Sequence, residues 1–339
     1  MANRVGRRRE LSPGERKSRR RRVLLVCAAT LLALELGLRV VMGNFAQSRM
    51  LMRSTDPDIC LENRPNIDLT YTGWLLRTAP TRMRTNALGG RGPAIPPRDD
   101  RLRIIALGDS FTFGQGVEET EAFPQVLERA LGIAGVRAEV LNFGVPGHGQ
   151  PQAVALLEHR LLDLRPDVVL VNVFANDLSA EDSYCLRGRG TNPLGRELLL
   201  NVYIARLAYV LASPLRRIAP PTEADTLGTP EERYEAAIAR AVQLGAERGF
   251  LVGVVLLTNR ATYQDTRLCR GCTPPHDLLG ETPAHVIDMS AVWEELQADI
   301  PAHFIAGDDH LNAVGNERMG TGLAASLQSW PEFTARAAK

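Results

Sequence analysis

The 339-residue chain carries almost no net charge, formally +1 at pH 7. That balance excludes a body built to neutralise phosphates, because nucleic-acid binding needs basic surface where the fold is. Cysteines number only five. "LCRGC" (268–272) could be half of a zinc site, but no second C-x-x-C and no H-x-x-x-H accompanies it. No Lys-Ser/Thr pair follows the glycine-rich "GDSFTFGQG", which excludes a phosphate-cradling P-loop. No internal repeat is present, and the only low-complexity segment is the basic start.

The small net charge hides an asymmetry. Residues 1–22 hold ten basic side chains against Glu10 and Glu15, so the remaining residues sum to about −7. An apolar run, "VLLVCAATLLALELGLRVVM" (23–42), follows directly and is interrupted only by Glu35 and Arg39. Its length suits a bilayer core. The two charges stand four apart and can pair on one helical face. Basic residues before the run predict a cytoplasmic tail over 1–22 and a single-pass signal anchor over 23–42 in the bacterial inner membrane, with the remainder periplasmic. No A-x-A-like cleavage site follows, so the anchor reads as uncleaved. A core helix behind a basic tail is the plainer alternative. Outside the cytoplasm, Cys60, Cys185, Cys269 and Cys272 form an even set available for disulfides, with pairing open and buried thiols as the alternative.

Residues 43–100 are rich in turn formers and read as a connector laid on a catalytic domain spanning 101–330. From 101 the pattern alternates. Apolar runs at 102–107, 138–143, 167–174, 250–258 and 285–289 read as strands, separated by amphipathic helical stretches such as "EAFPQVLERALGIAG" and "YEAAIARAVQLGAERG". This alternation predicts an α/β fold, a three-layer α/β/α sandwich with a mainly parallel sheet. A long excursion over 178–230 contains "GRELLLNVYIARLAYVLASPLRRI", apolar enough for core packing, membrane docking or contact with an acyl chain.

In such sheets ligands gather at the carboxyl ends of the strands. Three loops there carry candidate chemistry: "GDSFTFG", "GVPGHG" and "AND". A fourth, "GDDHLNAVG", precedes the last helix. Ser110 needs a base to act as a nucleophile. His310 is the candidate, with Asp308 or Asp309 to orient it. Backbone N–H groups of Ser110 and Gly147 and the Asn176 amide could face an oxyanion. Asp109 and Asp177 read as structural hydrogen bonders. His148 reads as a pocket or exposed-loop residue. His159, His276, His285 and His303 have no adjacent partner that singles them out.

The blocks "GDSFTFGQGV", "NFGVPGHG", "AND" and "DDHLNAVG", in this order, resemble those of the SGNH/GDSL hydrolases over about 101–327. "TNALGGRG" is similar to the segment preceding the first block in membrane-anchored bacterial members. The resemblance implies a flavodoxin-like fold and a serine esterase with Ser110 as nucleophile, His310 as base, and Gly147 and Asn176 completing the oxyanion hole. It requires no cofactor and no metal. Two positions depart from the family pattern. Gly307 stands where an Asp-x-x-His motif would place its acid, leaving Asp308 as the acid and Asp309 as second choice, and Phe174 replaces a glycine. The expected substrate is a small-molecule or polysaccharide ester. The alternatives are an O-acyltransferase or deacetylase acting on an envelope polysaccharide and, from another class, a non-catalytic envelope binding protein.

Overall fold

The computed structural model describes residues 13–41, 50–71, 80–174, 177, 202–204, 228–258, 275–279 and 282–338. Its centre is a five-stranded, wholly parallel sheet. The strands are β5 (Leu102–Gly108), β6 (Ala138–Gly144), β7 (Val168–Val173), β8 (Leu251–Leu256) and β9 (His285–Asp288), ordered β6-β5-β7-β8-β9. The chain runs from β5 outward to β6 and then crosses to β7 on the other side, so the topological switch point, where open α/β sheets hold ligands, lies between β5 and β7.

Every residue of β5 and of β7 is buried. Successive side chains of a strand point to opposite faces, so burial throughout means that both faces are covered. Ile104, Ala106 and Leu170 join one apolar cluster with Phe123, Leu127, Leu323 and Leu327. Ile105, Leu107, Val169 and Val171 join the other with Leu157, Tyr234, Ile238 and Leu244. At roughly 25 cal/mol per Å2 of apolar surface buried, these two layers dominate the stability of the body.

Helices supply the covers. In α3 (Phe123–Ile133) the buried positions Phe123, Val126, Leu127 and Leu131 recur at helical spacing. The second cover includes α4 (Gln150–Leu156), which continues as a π-turn over Leu157–Leu161, and α5 (Pro230–Arg248). Thr229 caps α5 by accepting from Glu232 N, and Gly249 ends it in the left-handed conformation. The helix α6 (Ser290–Ala298) is followed by α7 (Ala313–Gln328), whose cap, Asn312, accepts from Gly315 N.

The described residues of the connector carry secondary structure that its turn-rich sequence does not announce. They form two antiparallel pairs, β1 (Leu51–Arg53) with β2 (Leu61–Asn63), and β3 (Asp68–Tyr71) with β4 (Thr81–Arg84). Strands of three and four residues are too short to show an alternation in sequence. Residues 23–41 of the proposed span (23–42) form most of a helix, α1 (Pro13–Val41). Among the described residues, however, no helix is long and apolar enough to cross a membrane. The stretch free of charge, Val23–Leu34, is about 18 Å long at 1.5 Å per residue, short of a hydrocarbon core of about 30 Å. The Glu35–Arg39 pair beyond it closes at 3.0 Å. The apolar segment 195–218 lies outside the described residues, apart from 202–204.

Candidate active site

The fully buried β5 ends at Gly108, whose φ of 151° and lack of a side chain allow an abrupt turn. A Cβ there would meet Thr112 Oγ1 at 2.2 Å. A single-turn helix, α2 (Ser110–Phe113), begins at once, capped by the Asp109 carboxylate, which accepts from Phe111 N at 2.8 Å. Asp109 therefore braces the loop, and Ser110 is carried to the carboxyl edge of the sheet. Gly144 packs so closely against this turn that a Cβ would lie 2.3 Å from Phe113 N.

His310 comes to the same place from the loop before α7. That loop is held by Asp308 N donating to Ile305 O, Ile305 N donating to His310 O, and a bridge between Phe304 and Leu311. His310 Nε2 lies 2.8 Å from Ser110 Oγ. Its Nδ1 lies 2.5 Å from Asp308 Oδ1, which also accepts from His310 N at 3.0 Å. With Nδ1–H donating to Asp308, Nε2 keeps its lone pair toward the serine hydroxyl. Burial pushes the Asp308 carboxyl upward, but the hydrogen bond and charge of His310 outweigh it, and the group sits below the ordinary carboxylate range. Asp309 is exposed.

The histidine ring rests on Phe111, centroids 4.9 Å apart, and Phe111 stacks on Phe174 at 3.5 Å. Phe174, at the position where the resemblance leads one to expect glycine, thus becomes part of the apolar floor beside His310. Gly147 follows β6 with φ 85°. Asn176 lies outside the described residues. Its neighbour Asp177 is buried, and its Oδ2 accepts from Phe174 N at 2.7 Å and Gln150 Nε2 at 2.6 Å. Burial, and then the charge of Asp109, hold the Asp177 carboxyl well above its ordinary value, against those two hydrogen bonds.

Several side chains behave differently from their sequence reading. His148 is neither exposed nor free: it is buried, with Nε2 2.6 Å from Leu61 O, and burial pulls it down to about 4. Its partner lies in the connector, 87 residues away, so no local signal announced it. His159 pairs with Asp56 at 2.8 Å, and His285 stacks on Trp330 at 4.3 Å. The His276 side chain lies outside the described set. Among the described residues one grouping could hold a metal ion: Asp56, Asp58 and His159, with ligand atoms within 4.8 Å of one another. Cys60 is disulfide-bonded and Cys27 is free, while Cys185, Cys269 and Cys272 lie outside the described residues.

A parallel sheet with a serine, an imidazole and a carboxylate strung along its carboxyl edge has the arrangement of a serine hydrolase. A family model, the GDSL-like lipase/acylhydrolase family, matches residues 106–318, and the chain belongs to that family. Solved structures similar to it include the psychrotrophic esterase EstA from Pseudoalteromonas sp., 13% identical, covering 68% of this chain and 99% of that one at a TM-score of 0.45. Others are a lipase/acylhydrolase from Enterococcus faecalis, 18% identical over 67% of this chain and 95% of that one at 0.41, and the acetylxylan esterase Axe2 from Geobacillus stearothermophilus, 12% identical over 68% and 96% at 0.42. No curated protein matches the chain.

Proposed function

We propose that the protein is a serine esterase that hydrolyses acyl esters through Ser110, His310 and Asp308. The observation that carries this reading is the unbroken relay from Ser110 Oγ to His310 Nε2 at 2.8 Å and from His310 Nδ1 to Asp308 Oδ1 at 2.5 Å. A serine hydroxyl is a weak nucleophile until a base takes its proton. His310 removes that proton as Ser110 Oγ attacks the carbonyl carbon, and Asp308, held ionised, stabilises the imidazolium. The imidazolium then protonates the departing alkoxide, leaving an acyl-serine. Water, deprotonated by His310, attacks the acyl-serine and releases the acid.

The tetrahedral oxyanion needs donors, each worth roughly 2.7–4 kcal/mol. We assign these to the N–H groups of Ser110 and Gly147 and to the Asn176 amide. Asp177, the next residue along the chain, is itself fixed by accepting from Phe174 N.

A location outside the cytoplasm with membrane contact at α1 completes the proposal. The Cys60 disulfide supports an oxidising compartment. Val23, Leu24, Leu25, Val26, Leu31 and Leu32 are all exposed on α1 beside the basic run, a combination suited to anionic lipid. The test of activity is hydrolysis of p-nitrophenyl acetate by the full chain and its loss in Ser110→Ala. Cell fractionation with a protease-accessibility assay tests the location.

A further inference from the structure

Arg91 is the second-last residue of the "TNALGGRG" segment and is only 2% exposed. Its backbone is fixed against β6, with Arg91 N donating to Asn142 O at 2.8 Å. From there its guanidinium reaches the loop that follows the serine. Nη1 donates to Phe113 O at 2.5 Å and to Gly114 O, Nη2 donates to Val117 O, and Cζ lies 4.7 Å from the centre of the Phe113 ring. Gly114 admits this approach: a Cβ there would sit 2.8 Å from Arg91 Nη1.

Burying a cation against carbonyls alone is expensive. Glu119, Glu118 and Glu121 act on Arg91 through space, and although burial pulls it down to about 10 it stays charged at neutral pH. The carbonyls it holds explain the position. A four-residue helix cannot satisfy its own C-terminal carbonyls, and all four residues of α2 are buried. Asp109 fixes the amide end of α2 and Arg91 the carbonyl end, with Ser110 between them. Ser110 O itself accepts from Gly114 N and Gln115 N, both at 3.0 Å, within the turn that Arg91 grips.

We propose that Arg91 is a positioning residue for the nucleophile, holding the Phe113–Val117 turn so that Ser110 Oγ stays in hydrogen-bond reach of His310. The proposal rests on the reading of Ser110 as nucleophile. It implies that the connector is part of the active-site framework. Removing the guanidinium leaves Phe113 O with only a 3.4 Å bond from Asn142 Nδ2, Gly114 O with only a 3.4 Å bond from Val117 N, and Val117 O without the donor Arg91 gave it, and the turn shifts to find donors. A displacement near 1 Å at a reacting group lowers rates by up to about 100-fold.

The test uses the full chain and three variants, Arg91→Met, Arg91→Lys and Leu161→Ala. Leu161 is a buried core residue in the π-turn, and its truncation serves as a destabilised control. Each is checked for folding by circular dichroism, then assayed for the rate of fluorophosphonate labelling and for kcat and KM on p-nitrophenyl acetate. Folded Arg91→Met is expected to label at least ~10-fold more slowly, with kcat lowered and KM unchanged. Arg91→Lys, a point charge without the planar fork, falls between it and wild type. Leu161→Ala labels at the wild-type rate. Wild-type labelling by folded Arg91→Met, equal slowing of Leu161→Ala, or failure of both Arg91 variants to fold would each overturn the assignment. A wild-type chain that does not label defeats the nucleophile reading itself, and this proposal with it.

Discussion

His310 Nε2 and Ser110 Oγ stand 2.8 Å apart although 200 residues separate them along the chain. The contact depends on two rigid deliveries, one from the end of β5 and one from the loop before α7. Its consequences are open to measurement at each supporting residue.

The first concerns the acid. Asp308 takes both the ring and the backbone N–H of His310, whereas Asp309 is exposed. Asp308→Asn is expected to lower kcat by about 10²–10⁴-fold with little change in folding, by analogy with loss of the orienting carboxylate in a serine triad. Asp309→Asn should change kcat less than twofold. Steady-state kinetics on p-nitrophenyl acetate decide between them.

The turn at Gly108 makes a second prediction. A methyl group there would collide with Thr112 Oγ1 and force an unfavourable φ. Gly108→Ala should destabilise the protein by about 3 kcal/mol, seen as a lower urea midpoint.

Asp177 gives a dependence on pH. Its folded-state value is raised by burial and by Asp109. An acid of this kind imposes no penalty below its unfolded value, where it is neutral in both states. As pH rises above that value the unfolded chain ionises while the folded one resists, so stability falls until the folded value is passed. Asp177→Asn removes this loss and keeps an oxygen for Phe174 N. Its Tm should gain more on wild type at pH 8.5 than at pH 5, whereas an equal gain at both would contradict the raised acid.

The Cys60 disulfide gives another. Removing a native disulfide usually costs about 2–5 kcal/mol. Cys60→Ser is therefore expected to lower the urea midpoint, and dithiothreitol should lower that of wild type by more than that of the variant.

The parts of this molecule that were legible in the sequence are those whose physical cause is local. The run at 102–107 reads as a strand because burial on both faces demands uninterrupted apolar residues, and β5 occupies Leu102–Gly108. Ser110 and His310, which the structure brings together, could be singled out because their loops carry glycine and paired acids at fixed offsets. The strands of the connector were not, since three or four residues cannot display a period. Neither was Arg91, whose partners are carbonyls that every residue possesses, nor His148, whose partner is the backbone of Leu61. For α1 the sequence suggested a span, yet the charge-free stretch in the described helix is too short for one. Contacts to backbone leave no residue pattern to read.

The central claim, that Ser110 is the nucleophile, is tested most directly by treating the full chain with a fluorophosphonate and locating the adduct by peptide mass spectrometry. The account predicts one adduct, on Ser110, absent in folded Ser110→Ala and greatly slowed in His310→Ala. An adduct on another serine, or undiminished labelling of Ser110→Ala, would contradict it.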